Sequence, residues 1–491
     1  MSAGVAGSGG PTKAVNGRVI GLAVAGAVGG FLFGFDSSVV NGAVDPIQNY
    51  FHLDSSLIGF AVASALLGCA IGAEVAGRLA DRFGRVPVML IGAILFLVSS
   101  IGSGLVFGPT PMVWLLVAWR LLGGIGIGIA SVVAPAYISE ISPKQVRGRL
   151  ASLQQLAIVF GIFAALLSDA VLANTAGGAD QPSLFGLEAW RWMFIACAIP
   201  SIVYGVLALT LPESPRYLIK RGRETEARRI FARIIPAEHI ESSVADVRAS
   251  IERDAEGAKG RLRGRALGLR PIVWVGILLS VFQQFVGINV IFYYSTTLWK
   301  AVGFDESNSL LISVITSVTN IVVTIVAIAL VDKVGRRPLL LAGSAGMTVT
   351  LAVMALSFSQ AQTAPDGSVT LPGVWGPIAL VAANVFVVAF GVSWGPLVWV
   401  LLGEIFPNSI RGRALGLAAA AQWLANFVVT VTFPPLASFS LLFTYGLYAL
   451  FAALSFVFVI ARVPETNGMS LEEADELRSP SRRRDRERAA A

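Results

Sequence analysis

Twelve stretches of apolar residues run along the chain, separated by short polar connections. They fall at about 18–44, 57–80, 86–107, 112–138, 148–173, 190–211, 271–299, 308–331, 338–359, 374–402, 412–435 and 439–461. Each is long enough to cross about 30 Å of hydrocarbon as a helix. The runs do not alternate apolar and polar residues as barrel strands do. An open backbone in lipid must bond to itself, so helix is required. The pattern predicts an all-α membrane protein of twelve transmembrane helices. It divides the chain into an N-terminal tail (1–17), a six-helix bundle (18–211), a linker (212–270), a second six-helix bundle (271–462) and a C-terminal tail (463–491). The start of the chain lacks a signal-peptide design, so the first apolar run is expected to serve as its own insertion signal.

Composition narrows the class. Hydrophobic residues make up 55% and charged residues 14%, against about 25% charged in soluble domains. Mean hydropathy is +0.73. A water-soluble enzyme could not bury that much apolar surface, and a disordered chain would lack it. The net charge of +7 is not spread evenly. Connections 2–3 (Arg78, Arg82, Arg85), 4–5 (Lys144, Arg147, Arg149), 8–9 (Lys333, Arg336, Arg337) and 10–11 (Arg411, Arg413) are basic. Those near 45–56, 108–111, 174–189 and 360–373 hold no Lys or Arg. The asymmetry predicts a multi-pass cell-membrane protein whose basic connections and both termini are cytoplasmic. Between Arg216 and Arg270, 14 Lys/Arg outnumber 8 Asp/Glu, which puts the linker on the same side. The basic run 481–488 reads as a solvated segment near anionic lipid and not as a nucleic-acid arm.

The order of motifs shows a duplication. Glu140 and Arg147-Gly148-Arg149 recur as Glu404 and Arg411-Gly412-Arg413. Asp81-Arg82-Phe83-Gly84-Arg85 recurs as Asp332-Lys333-Val334-Gly335-Arg336, and Pro212-Glu213-Ser214 as Pro464-Glu465-Thr466. Six spans is an even number, so both halves share one orientation. A parallel repeat of this kind places a substrate site near mid-membrane between the halves.

Asp36 stands inside the first apolar run and Arg120 inside the fourth. An ionisable group in a span is costly and functional by default. Counted from the outer ends of their runs, both lie about 12 Å deep, so a buried pair is expected. Separating it would let Asp36 take up a proton. Cys69 and Cys197 read as apolar fillers, and His52 and His239 lie in separate loops. No metal site, cofactor or catalytic constellation is expected. Gly123, Gly124, Gly126 and Gly128 imitate a phosphate loop, but no strand precedes them, and close helix packing is the expected role. Trp190 and Trp192 are expected in the interfacial belt.

Taken together, Gly34-Phe35-Asp36, the motifs above, Pro215-Arg216, Gln283-Gln284, Gly287-Ile288-Asn289, Ser393-Trp394-Gly395-Pro396 and Gln422-Trp423 resemble the sugar porter family of the major facilitator superfamily, over about residues 18–470. The bacterial xylose– and glucose–proton symporters are the most similar group. The resemblance implies the major facilitator fold, a short intracellular helical bundle in the linker, and proton-coupled symport of a monosaccharide by a monomer in the lipid bilayer. A passive sugar facilitator and a polyol or inositol transporter remain alternatives. It implies Asp36 as the proton carrier, with Arg120 as its partner.

A pyranose offers hydroxyls to amides and an apolar face to aromatic rings. The family's sugar contacts fall on Gln155, Gln283, Gln284, Asn289, Asn320, Trp399 and Gln422, with Phe33, Tyr293 and Trp423 as further candidates. Ile162 stands where the xylose symporters carry an amide, which makes glucose or another aldohexose at least as well supported as xylose. Arg85, Glu140, Arg149 and Glu213, with their repeats Arg336, Glu404, Arg413 and Glu465, are expected to gate the cytoplasmic side by pairing across the halves while the cavity faces outward.

Overall fold

In a computed structural model, twelve helices long and apolar enough to span a membrane fall where the apolar runs place them. The structure describes residues 17–142, 147–257, 262, 264, 267–363, 369–406 and 410–465. The spans are Val19–Gly42, Ser55–Phe83, Arg85–Gly104, Thr110–Ile141, Leu153–Ala176, Ala189–Thr210, Pro271–Tyr293, Glu306–Leu330, Arg336–Phe358, Trp375–Ile405, Arg413–Phe439 and Leu441–Arg462. The duplication extends to their starts. Asp54 caps the second span by accepting from the Ser56 and Leu57 amides, both at 2.8 Å. Asp305 caps the eighth by accepting from Asn308 N at 3.1 Å. Both satisfy amides that the first helical turn leaves without a partner.

Within the first half, the second span packs on the fourth, the first on the fifth and the third on the fourth. In the second half the ninth packs on the twelfth and tenth, and the seventh on the eleventh. The halves meet along two seams, second against eleventh and fifth against eighth, which the repeat exchanges. The glycines of the fourth span serve close approach. A Cβ on Gly124 would lie 2.0 Å from the Ala65 carbonyl oxygen, and one on Gly128 would lie 2.2 Å from that of Cys69.

Three apolar runs that read as continuous are broken helices. The sixth span divides at Cys197. The seventh divides at Gly287, between Pro271–Phe285 and Ile288–Tyr293. The tenth divides at Ser393, between Trp375–Val392 and Trp394–Ile405. Gly287 takes φ +82°, and a Cβ there would sit 2.6 Å from the Tyr448 ring. Left-handed backbone and lack of room both require glycine. Hydropathy averages over such single-residue breaks, so the pattern passes over them.

The linker forms helices Pro215–Lys220, Glu224–Ile234 and Ile240–Gly257. Phe231, Ile234 and Val244 share a buried cluster with Val19 and Ala23 of the first span and Ile138 of the fourth. Arg228 pairs with Glu241 at 2.8 Å, and Arg248 with Glu224, tying the two longer helices together. One departure from all-helical structure is a two-residue antiparallel ladder, Gln362–Thr363 with Val369–Thr370, between the ninth and tenth spans.

Trp190 departs from the interfacial belt. It is 1% exposed and stacks on Arg191, whose Cζ lies 4.3 Å from its ring centroid. Arg191 is itself fully buried, 4.2 Å from the Phe107 ring, and donates to the Val106 carbonyl at 2.5 Å. Position along the chain suggested the belt, but the helix turns this face inward. Trp192 is half-buried and donates from its indole to the Leu184 carbonyl at 2.9 Å.

Candidate functional site

Asp36 and Arg120 meet inside the first half. Arg120 Nη1 donates to Asp36 Oδ1 at 2.5 Å, and both side chains are more than nine-tenths buried. Arg120 Cζ also lies 5.6 Å from the Phe194 ring centroid. The pair faces a small cavity lined by Phe33, Ser37, Val62, Cys69 and Tyr293 among others. Tyr293 comes from the second half, so the cavity lies between the halves. A carboxyl and a guanidinium this far from water depend on one another, and loss of either partner leaves the other without compensation for its burial.

The seventh span carries the amides to its own break. Gln283 donates to the carbonyls of Trp394 and Gly395, at 2.9 and 3.1 Å, where the tenth span is interrupted. Asn289 donates to Gln284 Oε1 at 2.6 Å. Gln283 and Gln284 are buried and Asn289 half-buried. Both broken helices thus bring amides and backbone polar groups to one level. Such breaks are tolerated in a span only where protein or a cavity satisfies the backbone.

The remaining candidates spread around this level. Asn320 is buried, with its Oδ1 toward Gly391. Gln155 is half-buried on the fifth span, and Ile162 is buried where that span touches Gly34. On the eleventh span Gln422 is half-buried, and its Oε1 has no hydrogen-bond partner in the protein. Trp423 meets Phe33 edge-to-face across the halves, with centroids 5.4 Å apart. Trp399, on the helix that follows the break in the tenth span, is 45% exposed.

At the basic end, the described ion pairs stay within each half. Arg85 grips Glu140 through a fork of 2.8 and 2.9 Å. Its copy, Arg336 to Glu404, measures 3.0 Å. Glu213 accepts from the amides of Arg85 and Val86 at 2.9 and 3.3 Å. Glu465 accepts likewise from Arg336 and Arg337 at 3.1 and 3.0 Å. These carboxylates cap the third and ninth spans, which ties helices together inside each half. Arg413 is exposed, and the side chain of Arg149 lies outside the described residues.

The neutral end is joined across the halves. Asn41 donates to the Thr296 and Ser313 hydroxyls at 2.9 and 3.3 Å and accepts from Thr296 N at 3.0 Å. Asp45 accepts from the Thr297 hydroxyl at 2.7 Å and pairs with Lys300 at 2.8 Å. Glu306 accepts from Ala179 N at 2.9 Å. Sequence reasoning passed over these residues, because polar groups near a helix end look like ordinary loop chemistry. It also passed over Asp169, a fully buried carboxyl on the fifth span. A lone acid within the apolar run 165–173 carried the same signal that singled out Asp36.

Residues 22–477 match the family model described as "Sugar (and other) transporter". The glucose transport protein of Synechocystis sp. is 54% identical over 91% of this chain and 95% of its own length. The D-xylose-proton symporter of Escherichia coli is 36% identical over 96% of this chain and 98% of its own. A structure of the xylose transporter XylE from E. coli, in a partially occluded inward-open conformation, superposes with a TM-score of 0.80. It is 34% identical and covers 93% of this chain and 100% of that one.

Proposed function

Because the chain belongs to the sugar (and other) transporter family, we propose that it couples inward movement of a monosaccharide, an aldohexose such as glucose or the pentose xylose, to a proton. The buried Asp36–Arg120 pair beside a cavity between the halves carries this reading. The pair is the one place among the described spans where a carboxylate and a cation neutralise each other within reach of groups from both halves. A conformational change within the first half that separates the partners lets Asp36 accept a proton where the cavity is open to the acidic side. The relatives' substrates, glucose and xylose, set the class of sugar.

The sugar binds between the broken seventh and tenth spans. Gln155, Gln283, Gln284, Asn289, Asn320 and Gln422 supply donors and acceptors to its hydroxyls, and Phe33, Tyr293, Trp399 and Trp423 supply apolar faces. Ile162 leaves an apolar wall that suits a hexose as well as a pentose. The basic end faces the cytoplasm of a cell-membrane monomer, and the neutral end faces outward. With Asn41, Asp45 and Glu306 bridging the halves, the outer side is shut and the cavity belongs to an inward-facing state. The gating set works at the inner end. Arg85, Glu140 and Glu213, and their copies Arg336, Glu404 and Glu465, hold each half rigid in this state. With Arg149 and Arg413 they re-pair across the halves when the cavity turns outward.

Purified protein in liposomes tests the reading. Radiolabelled glucose and xylose are offered with and without an inward pH gradient. Gradient-driven accumulation of either sugar supports symport. Equilibration without accumulation makes the protein a passive facilitator, and preference for inositol over both sugars overturns the substrate class.

A further inference from the structure

Asp169 is the buried carboxyl that the transport scheme above leaves unused. It lies near the outer end of the fifth span and is fully buried. Among the described residues no cation pairs with it. Its Oδ2 accepts from the Gly42 amide at 3.1 Å, and its Oδ1 has no partner in the protein. Gly42 closes a single turn, Val40–Gly42, that ends the first span. The contact is close: a Cβ on Gly42 would lie 3.0 Å from Asp169 and 2.8 Å from Met193 Sδ. The middle residue of that turn is Asn41, and Asn41 makes three hydrogen bonds to Thr296 and Ser313 of the other half.

We infer that Asp169 is a positioning residue of the outer gate: its carboxyl oxygen holds the 40–42 turn in the one register in which Asn41 bridges the halves. The Asp169 oxygen accepts the Gly42 N–H in an apolar surrounding where no water replaces it, and losing it leaves that amide buried without a partner. A turn of three residues has few bonds of its own, so this side-chain anchor decides where its middle residue points. Without the anchor, Asn41 loses its alignment with both Thr296 and Ser313, and the shut outer side loses three bonds at once. Asp169 thereby acts on the equilibrium between outward- and inward-facing states without touching sugar or the transported proton.

The inference rests on the alternating-access reading, and the experiment separates the two. A reporter cysteine is placed at Ser37, one turn below Asn41, in a chain whose Cys69 and Cys197 are alanine. Its rate of modification by a membrane-impermeant thiol reagent is read from outside in whole cells. In that parent, saturating sugar must change the rate; a parent indifferent to every transported sugar means the alternating-access reading has failed. Given a responsive parent, Asp169→Leu is expected to raise the rate about tenfold, a typical coupling between conformational states. Asp169→Asn keeps an acceptor oxygen for Gly42 and is expected to stay within about twofold. Gly42→Ala disturbs the same contact from the other side with the carboxylate intact, and is expected to raise the rate even if Asp169→Leu does not fold. Asn41→Ala combined with Asp169→Leu is expected to match the faster single variant, since both act through one turn. The inference is overturned by Asp169→Leu or Gly42→Ala reacting at the parent rate. It is equally overturned by Asp169→Asn reacting as fast as Asp169→Leu, or by the two changes multiplying in the double variant.

Discussion

At Asp36 the energetic choice is stark. Its carboxylate is within 2.5 Å of a guanidinium and shut off from water. Removing one partner of a buried pair costs about 3–5 kcal/mol, because the other is left charged in a medium that does not solvate it. The two single changes are therefore unequal. Asp36→Asn leaves Arg120 an amide oxygen to donate to and removes the proton acceptor. It is expected to abolish uphill accumulation and to preserve exchange of labelled sugar, both measured in proteoliposomes. Arg120→Leu strands the carboxylate without a cation and is expected to depress exchange as well. Accumulation surviving in Asp36→Asn would remove that residue as the sole carrier. This pair was legible in the sequence, because a charge in an apolar run is rare enough to be informative one residue at a time. Asp169 carried the same signal and was not read. Its partner is the Gly42 backbone amide, which leaves no trace in the residue types.

Among elements, the two ends of the bundle obey different electrostatics. At the end opposite the basic loops, Lys300 on the segment after the seventh span reaches Asp45 at 2.8 Å. Burial pulls its ammonium pKa down, and the Asp45 carboxylate outweighs that, leaving it above the ordinary lysine value. A raised value in the folded state adds stability that is complete below the ordinary lysine pKa and lost only on going above it. Acidity in the physiological range therefore leaves Lys300 charged, and charge exchange is the better probe. Asp45→Asn and Lys300→Met are each expected to speed thiol labelling of the Ser37→Cys reporter from outside. Asp45→Lys with Lys300→Asp is expected to bring the rate back toward the parent. A swap as fast as the singles would show that the pair does not help close the outer side.

The linker helices respond to pH in the opposite sense. Hydrogen bonding from Arg248 holds Glu224 below its usual range, and hydrogen bonding from Arg228 does the same for Glu241. A lowered folded-state value adds stability above the ordinary glutamate pKa of about 4.3, and that stability disappears as pH falls through the lowered value. Amide hydrogen exchange, corrected for its intrinsic pH dependence, is expected to show helices Glu224–Ile234 and Ile240–Gly257 loosening below about pH 4. The twelve spans should hold their protection there. Spans opening before these two helices would contradict the assignment. The helices themselves were implied only by family resemblance, although Ala227, Phe231 and Ile234 recur at helical spacing on one face. Their docking under Val19, Ala23 and Ile138 follows from the few apolar residues on one face.

For the whole molecule, the proposed gate rests on the duplicated charge clusters. In this state Arg85 holds Glu140 and Arg336 holds Glu404, each within its own half. If the same groups re-pair across the halves in the outward-facing state, they act as switches between two sets of partners. Both pairs are largely buried, and several in register bias a two-state equilibrium appreciably. Glu140→Gln and Glu404→Gln are expected to slow net transport about tenfold, a change of about 1.4 kcal/mol in the bias. Sugar binding to detergent-solubilised protein should change by less than about threefold. Binding that collapses while the conformational equilibrium stays fixed would move these residues from the gate to the sugar site.

The sequence by itself determined the number of spans, the order of their repeated motifs, the gathering of basic loops at one end and the polar residue types within the spans. Each of these is additive along the chain: hydropathy sums over a window, charge sums over a loop, and a repeat shows in the order of residues. What only the tertiary structure decided concerns which groups share a place. Gly287 and Ser393 break two spans at the same level, so that Gln283 reaches the carbonyls of Trp394 and Gly395. Trp190 turns inward onto Arg191, and Asn41, Asp45 and Glu306 bridge the halves at the outer end. A hydrogen bond between residues hundreds of positions apart depends on a few ångströms of helix placement. That placement is set by packing of the whole bundle, which no local stretch of residues encodes.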